Sequence, residues 1–591
     1  MAFSAKSWLA CSVLFVLCVS CRQSPSNQNA GSQLESLLKQ EWEYELRTSP
    51  ETATYLGDPR YNAQLSDYSP AFNLRNVEQE RTFLRKFEAV DPNGLSPAQG
   101  LNRTLMIRRL REKIGQAEFH PWEMPVDQMN GVHLALAQLP GYTRFSSIRD
   151  YDDYLSRLQK LPRAFSQIEE SMRLGVKDRL MPPRYLVEKV MAQAKAIANE
   201  KAEANPFAVP LTRFPNSISS ADRSRIKGDI LREIDQDVIP TYSQFAEFVQ
   251  KEYLPYGRVE PGVWSLPNGD ARYREAVRRM TTTSLTPEQF HQIGLKQVSE
   301  IEGEMLQVAS KLGFKDLASF NASIKANKGL YAKSGDQIIG LYRKYVDGMR
   351  GKMPMLFTHQ PKAALEVVPM EAFRAKDGVP ADYSPGTADG SRPGRINIDT
   401  YDPTHRLTLN IEAIAYHEGI PGHHQQIALA QEMTGLPEFR KNADYNAFVE
   451  GWALYAERLG KEIGFYQDPY SEYGRLENEM WRAVRLVVDT GVHYKHWSRQ
   501  QMVDYFHAHT AMDEPNIESE VDRYIAWPGQ ALAYKAGQIE ILKLRAHAKQ
   551  ELGSRYNLRA FNDAVLANGA LPLDTLDELI NNWIVARKES R

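Results

Sequence analysis

Apolar residues recur at three- and four-residue steps along most of the chain, with charged residues between them. The pattern is clear in the segments 34–47, 151–175 and 336–353. This spacing places one apolar stripe along an α-helix and is typical of helices that bury one face. Proline directly after Ser96 and directly after Thr286 marks helix starts, because proline is tolerated at the first helical position. The pattern predicts a mainly α-helical protein.

Two short segments, 364–370 and 395–401, have the β-branched content and alternation of strands. They are separated by a stretch rich in glycine, proline and serine, which is typical of turns. The pattern predicts a small β element beside an active-site cleft. The second strand is predicted to be an edge against which an extended substrate pairs its backbone.

The N-terminus has the pattern of an export signal. Lys6 precedes an uncharged apolar run over 8–19, which has the length of a signal-peptide core and is too short to span a bilayer. The run ends at Ser20-Cys21, which resembles a bacterial lipobox with Cys21 as the lipidated first residue of the mature protein. The prediction is an exported lipoprotein of the bacterial cell envelope, anchored to a membrane only through its lipid. An ordinary signal peptide cut nearby is the alternative.

The rest of the sequence contains only a weak signal for a domain boundary. Three prolines within 205–217 indicate a boundary between two helical regions. The predicted organisation is therefore described in four segments: a lipoprotein signal peptide over 1–20, a tether over 21–33, an N-terminal helical lobe over 34–210 and a catalytic helical region with the metal site over 211–591.

Composition excludes several classes of protein. Lys and Arg total 72 against 74 Asp and Glu, a net charge of −2, so the chain has no basic field for nucleic acid. The three cysteines are Cys11, Cys18 and Cys21, which excludes a disulfide-stapled scaffold and any cysteine ligand or nucleophile beyond residue 21. A metal in the mature chain must therefore be held by imidazole and carboxylate groups.

Histidine is concentrated in one part of the chain. Eight of the 13 histidines fall between residues 405 and 509. Within 411–433, an apolar helical segment presents His417-Glu418, breaks at a Gly-Ile-Pro-Gly sequence and continues with His423-His424. A His-Glu pair followed by a further histidine is typical of zinc hydrolases, in which two imidazoles bind the metal and the glutamate activates water.

The histidine spacing requires a broken helix. His423, six residues after His417, would sit ~240° around a regular helix, and His424 would lie roughly 10.5 Å along its axis. Two nitrogens that are each about 2.0–2.1 Å from one zinc ion cannot be that far apart. Pro421 and Gly422 allow a local turn that would bring a second histidine back. His423 is the favoured second ligand, and His424 is the reserve.

The third ligand is expected from a neighbouring helix. Glu450 lies beside the apolar stripe that contains Phe448 and Trp452, so its carboxylate is predicted to point toward the core. A buried carboxylate needs a partner, and a metal ion is a suitable one. A buried salt bridge is the alternative interpretation. Glu457, two turns further along the same face, is predicted to support a ligand from behind.

Four ordered blocks carry a resemblance to a known family. They are HEGIPGHH at 417–424, EGWALYAE at 450–457, RAVRLVVDTGVHYKHWS at 482–498 and RYIAWPGQALAYKAG at 523–537. Together they resemble the bacterial "domain of unknown function 885" family, which is often lipoprotein-like and is placed near the gluzincin zinc metallopeptidases. The resemblance implies a large multi-helix, gluzincin-like metallopeptidase body. It also implies that His417, His423 and Glu450 bind zinc and that Glu418 is the general base.

Other residues are candidates for substrate contacts. Peptide hydrolysis develops an oxyanion that needs a hydrogen-bond donor, and Tyr524, Tyr534 and His493 are the candidates for that catalytic role. A satisfied core residue is the alternative for each of them. The arginines that could bind a substrate carboxylate are Arg482, Arg485 and Arg523, for which a salt-bridged helix face is the alternative.

The sequence therefore predicts a zinc-dependent hydrolase, specifically a peptidase with a peptide substrate and one Zn²⁺ ion. Manganese or cobalt could occupy the same nitrogen and oxygen ligands. The alternative from a different class is a non-catalytic envelope lipoprotein that binds metal or peptide. A metal hydrolase acting on another amide or ester is a third possibility.

Overall fold

The computed structural model describes residues 25–371, 375 and 379–589. The predicted signal peptide and its lipidation residue, Cys21, lie outside the described residues. The fold is mainly helical, as the periodicity predicts. Within the described part of the chain, no helix combines the length and apolar character needed to cross a bilayer.

The N-terminal part of the fold is a series of helices joined by turns and by short 3₁₀ and π segments. They are α1 (Pro25–Thr48), α2 (Pro50–Tyr55), α3 (Pro70–Glu88), α4 (Pro97–Ala117), α5 (Val132–Tyr142), α6 (Ile148–Leu158), α7 (Leu161–Asp178), α8 (Arg184–Ala198), α9 (Ser220–Glu233) and α10 (Ile239–Phe248). The start predicted at Ser96-Pro97 is confirmed, because Ser96 caps α4 and the side chain of Gln99 completes a capping box. Helix α1 begins at Pro25, within the segment predicted as a tether, and its residues Ala30 and Leu34 are buried.

The later helices form two groups, one before and one after a small β-sheet in the sequence. Those before the sheet are α11 (Gly269–Thr281), α12 (Pro287–Lys311), α13 (Leu317–Ala326), α14 (Gly335–Arg350) and α15 (Met353–Leu356). Those after it are α16 (Ile411–Glu418), α17 (His423–Glu432), α18 (Glu438–Lys441), α19 (Asn446–Glu462), α20 (Pro469–His493), α21 (Arg499–His509), α22 (Glu514–Ala526), α23 (Ala533–Leu552), α24 (Leu558–Leu566) and α25 (Leu573–Glu589). The predicted start at Thr286-Pro287 is confirmed by a capping box at α12.

The β element is a three-stranded sheet of β1 (Leu365–Pro369), β2 (Ala381–Ser384) and β3 (Gly394–Ile398). The strand order is β1-β3-β2, with β3 parallel to β1 and antiparallel to β2. The two predicted strands are present, but the prediction missed β2. The expectation that the second predicted strand is an edge is wrong, because β3 is central and pairs on both sides.

Hydrophobic residues form several cores rather than one. One core joins helices α5 to α10 and includes Phe207 and Ile226. This core contains residues on both sides of the segment 205–217, where the sequence pattern predicts a boundary. Another core joins Leu34 of α1 to residues of the sheet and of α16, α19 and α23. The N-terminal helices thus contribute directly to the packing around the C-terminal ones.

Helices α19 and α23 cross at unusually short range. A Cβ placed on Gly537 would lie 1.7 Å from the Ala447 carbonyl oxygen, and one on Gly451 would lie 2.4 Å from the Gly537 Cα. Only glycine leaves room for this approach. The crossing fixes the two helices that carry Glu450 and Tyr534.

We predict that Gly537→Ala destabilises the protein by about 1–3 kcal/mol, because the added methyl group must push the two backbones apart. Gly340, in the middle of α14, provides the control, because a Cβ added there would meet no atom within 4 Å. Gly340→Ala should be neutral or stabilising, since alanine favours a helix by ~1 kcal/mol over glycine. Thermal unfolding midpoints test both variants, and equal midpoints for the two would contradict the close crossing.

Candidate metal centre and cavity

The chain turns sharply between α16 and α17. Gly419 and Gly422 have φ/ψ values of −95°/−122° and −83°/−124°, which lie outside both the helical and the extended regions, and α17 begins at His423. A Cβ on Gly422 would lie 2.0 Å from the His417 carbonyl oxygen, so this turn requires glycine. The indole Nε1 of Trp452 donates a hydrogen bond to the Pro421 carbonyl at 3.0 Å and holds the turn against α19. The helix break predicted at this point is confirmed.

The turn brings two imidazoles and a carboxylate together. The rings of His417 and His423 lie 4.9 Å apart and perpendicular. The Nε2 atom of each is 3.4 Å from the same oxygen, Oε2 of Glu450. The candidate ligand atoms of these three residues all lie within 4.8 Å of one another.

The environment of Glu450 indicates that this cluster fits a metal ion. Its Oε2 atom is buried and has no hydrogen-bond partner among the described residues. Burial alone would raise the pKa of Glu450, but the two histidines against it hold that pKa well below its ordinary value. An ionised carboxylate with two imidazole nitrogens is a ligand set that zinc accepts in hydrolases.

Glu457 supports the cluster from behind. Its Oε1 atom lies 2.8 Å from Nδ1 of His417, and the side chain is 1% exposed. Glu457 is seven residues after Glu450 on the same helix, which the sequence spacing predicted. A carboxylate on the far nitrogen fixes a histidine ring and directs its other nitrogen toward a metal.

His424 is not part of the cluster. Its Nδ1 atom contacts the Tyr383 hydroxyl at 3.0 Å, and its Nε2 atom contacts the Ala363 carbonyl at 3.2 Å. Burial lowers the pKa of His424 to about 4. Because both ring nitrogens are engaged elsewhere, the structure brings His423 and not the reserve residue to His417.

Glu418 lies beside the cluster and is 9% exposed. Burial raises the pKa of its carboxyl group to about 8, with His423 opposing the rise and Glu450 adding to it. The three cluster residues and Glu418 all line one cavity of about 450 Å³. A carboxyl group with a raised pKa that faces the same cavity as the cluster suits proton transfer.

Residues from distant parts of the sequence form the walls of the cavity. They are Tyr55, Ala381, Asp382, Tyr383, Gln426, Asp444, Trp481, Arg482, Arg485, Arg523 and Tyr534, among others. The three arginines predicted to bind substrate therefore all reach the cavity. Tyr534 also does so, and its ring lies parallel to that of His417 with centroids 6.4 Å apart.

Two of the predicted oxyanion donors lie elsewhere. His493 is bonded on both sides, accepting from the Val263 amide at 3.0 Å and contacting the Tyr524 carbonyl at 2.9 Å. The Tyr524 hydroxyl donates to Glu520 and accepts from Arg485 and Trp481. Neither residue is among those that line the cavity. The structure therefore places both in satisfied core positions, and of the three candidates only Tyr534 reaches the cavity.

The sequence prediction missed the contribution of β2. Tyr383 on this strand lies 6.5 Å from the His423 ring, and Asp382 accepts a hydrogen bond from Asn397 at 2.6 Å. The strand is only four residues long and adjoins a turn-rich segment, so the pattern gave little signal for it.

A second group of described residues could also hold a metal. His120, Glu123 and Asp178 have ligand atoms within 4.8 Å of one another, but Asp178 is exposed. None of the three lines the cavity. Only the group of His417, His423 and Glu450 combines burial with access to a cavity and an adjacent carboxyl group.

Comparison with known proteins identifies the family. The family described as "Bacterial protein of unknown function (DUF885)" matches residues 50–580. The chain belongs to this family. A DUF885 assignment was expected from the four sequence blocks and is now confirmed. None of the proteins with curated descriptions matches the chain.

Two solved structures resemble this DUF885 chain. A protein of Colwellia psychrerythraea, provisionally named a lipoprotein, is 27% identical with a TM-score of 0.89, and the match covers 95% of this chain and 99% of that one. A protein of Shewanella oneidensis, provisionally named a lipoprotein of unknown function, is 17% identical with a TM-score of 0.68, and the match covers 93% and 99%. The second likeness concerns the fold alone.

We predict that the purified DUF885 chain binds one equivalent of metal through the buried cluster. His423→Ala should lose that equivalent, because it removes one of two imidazole ligands, whereas His424→Gln should retain it. Asp178→Asn, which alters the exposed group, should also retain it. Elemental analysis after gel filtration tests the three variants. Loss of metal from His424→Gln or Asp178→Asn, with retention in His423→Ala, would contradict the assignment.

Proposed function

We propose that the protein is a zinc-dependent hydrolase, specifically a peptidase. The observation that carries the proposal is the convergence of two histidine Nε2 atoms on the unpartnered Oε2 of Glu450, with Glu418 beside them in a cavity. This is the ligand set that the gluzincin resemblance implies. Manganese or cobalt could replace zinc, because the ligands are nitrogen and oxygen.

His417, His423 and Glu450 would hold the ion. Bound there, Zn²⁺ would lower the pKa of a water molecule toward neutrality and polarise a substrate carbonyl group. Glu418 accepts the proton of the attacking water and then returns it to the departing amine. Its position beside the cluster, in the same cavity, suits both steps.

Tyr534 is the described residue best placed to stabilise the developing oxyanion. Its hydroxyl oxygen accepts a hydrogen bond from Gln530 Nε2 at 3.4 Å, which leaves the hydroxyl proton free to donate toward the substrate. Its ring lies against that of His417, so the phenol is close to the cluster. A fixed donor at the developing charge lowers the barrier because it costs no reorganisation.

Strand β2 favours a peptide over another amide or ester. It pairs with β3 along one side, and three of its residues line the cavity. Its other side has no strand partner among the described residues. An extended peptide could add there as a further strand, with backbone hydrogen bonds that a small ester cannot make.

The proposed location is the bacterial cell envelope. The Ser20-Cys21 sequence has the pattern of a lipidation site, and the structural relative from Colwellia psychrerythraea is provisionally named a lipoprotein. We propose an exported protein held to a membrane through its lipid alone. A peptide is the partner that the cavity favours, and the net charge of −2 gives no support for nucleic acid.

The alternative is a non-catalytic lipoprotein that uses the cluster to bind metal or peptide. Glu418 argues for catalysis, because a structural metal site is closed by a fourth ligand and has no use for a carboxyl group on its open side. The two functions differ in what happens when this carboxyl group is removed.

We predict that Glu418→Gln retains bound metal but lowers peptide hydrolysis by roughly 10²–10⁴-fold, the usual contribution of a general acid–base group. The measurement combines elemental analysis with mass-spectrometric profiling of a mixed peptide library, with and without a chelator. Glu477→Gln is the matched control, because Glu477 is buried, its pKa is raised to about 7 and it does not line the cavity.

Hydrolysis by the wild type should be chelator-sensitive and should persist in the Glu477 variant. Equal turnover by Glu418→Gln and the wild type would show that Glu418 is not the general base. Stoichiometric metal without any hydrolysis by the wild type would favour the binding protein.

A further inference from the structure

Arg482 is a buried cation that forms no salt bridge with a carboxylate among the described residues. It lies on α20, is 4% exposed and lines the cavity. Its guanidinium group stacks 4.1 Å above the Trp481 ring, and one nitrogen makes a long 3.4 Å hydrogen bond to the Asn478 carbonyl. Its Nε atom is buried and has no hydrogen-bond partner among the described residues.

The other two cavity arginines share one acid. Arg523 donates to both oxygens of Glu520 and to Gln530, so its guanidinium group is fully engaged. Arg485 donates to Glu520 at 3.0 Å and to the Tyr524 hydroxyl at 2.8 Å, and its Nη1 atom has no partner in the described structure. Both carboxylate oxygens of Glu520 are therefore occupied. N–H donors without an acceptor remain on Arg482 and on Nη1 of Arg485.

Such an arrangement is costly unless an anion completes it. Two guanidinium groups three residues apart on α20 repel each other, and a buried unpaired charge is strongly unfavourable. Burial lowers the pKa of Arg482, Glu457 opposes that fall, and Arg485 adds to it. Glu457 contacts His417 through Oε1, and within the described residues neither of its oxygens accepts a hydrogen bond from Arg482. The planar donors of arginine match the two oxygens of a carboxylate.

The N–H donors of Arg482 and Arg485 that lack an acceptor lie close to the candidate metal cluster. The centroid of the Tyr534 ring lies 6.4 Å from the centroid of the His417 ring and 6.0 Å from the Arg482 Cζ atom. The Arg485 Cζ atom is 4.1 Å from the same ring. An extended peptide advances ~3.3–3.6 Å per residue. A carboxylate on Arg482 therefore leaves room for only a few residues between it and the cluster.

We propose that Arg482, assisted by Arg485, binds the free C-terminal carboxylate of a short peptide, so that the protein is a carboxypeptidase-type exopeptidase. This proposal rests on the proposed function and names its substrate class. Water is the co-reactant. The amide C–N bond near the C-terminus breaks, the acyl carbon gains the hydroxyl group and the amine gains the proton. The products are a shortened peptide and a free amino acid or very short peptide.

The test uses pairs of peptides that share one sequence and end in either a free carboxylate or an amide. The wild type should cleave the free acid with a kcat/KM roughly 10²-fold above that of the amide, the size expected for a charged hydrogen-bonded pair. Arg482→Met should reduce this acid-to-amide ratio at least tenfold, and Arg482→Lys should give an intermediate ratio. The ratio is measured within one preparation, so partial misfolding of a variant cancels.

Arg475→Met is the matched control. Arg475 is a buried arginine on the same helix, but it is paired with Glu472 and Glu479 and does not line the cavity. Its acid-to-amide ratio should equal that of the wild type. Equal cleavage of acid and amide by the wild type, or an unchanged ratio in Arg482→Met, would overturn the carboxylate site while leaving a peptidase in place.

A binding measurement separates this proposal from the proposed function. Calorimetric titration of Glu418→Gln with the same peptides should show the acid binding at least tenfold more tightly than the amide. The preference for the acid should disappear in the double variant that combines Glu418→Gln with Arg482→Met. Acid-selective binding without hydrolysis by the wild type would support the carboxylate site and reject the peptidase. Equal binding of acid and amide would overturn the carboxylate site whatever the turnover.

Discussion

The site depends on the turn between His417 and His423. An unbroken helix would separate the two imidazoles in angle and along the axis, and no single ion could contact both. The turn is possible because Gly422 approaches the backbone of His417 to a distance that a side chain would block. Trp452, on the helix that also carries Glu450, holds the turn through the Pro421 carbonyl. This hydrogen bond and the contact of Glu457 with His417 therefore link the turn and its histidines to the helix that carries Glu450.

The pairing of buried charges explains how the other charged residues around the cavity are arranged. Glu450 faces two imidazoles, Glu457 contacts His417, and Glu520 engages two of the three arginines. Arg482 has no such partner in the described part of the chain, and Glu418 has a raised pKa. Both residues are proposed to act on the substrate.

The sequence predicted the helical fold and the metal cluster because both depend on local signals. Helical periodicity is short-range, and the failure of HExxH spacing at Pro421 pointed directly to a turn and to His423. The arginines were harder to interpret, because α20 is buried on every face from Tyr473 to His493 and its pattern shows no solvent side. Which arginine has an acid partner depends on Glu520, which belongs to another helix.

The missed features depend on contacts between distant segments. Strand β2 exists because it pairs with β3, and its four residues carry little pattern of their own. Tyr55 reaches the cavity from the N-terminal helices. His493 and Tyr524 have the residue types of oxyanion donors, but burial with satisfied partners cannot be inferred from residue type.

Anomalous diffraction at the zinc edge, from crystals of the metal-loaded protein, would locate the ion without any assumption about activity. We expect one strong peak bounded by Nε2 of His417, Nε2 of His423 and the Glu450 carboxylate, with Glu418 beside it and outside ligand distance. A peak at His120, Glu123 and Asp178 instead, or a fully closed site that includes Glu418 as a ligand, would contradict the proposed metal centre.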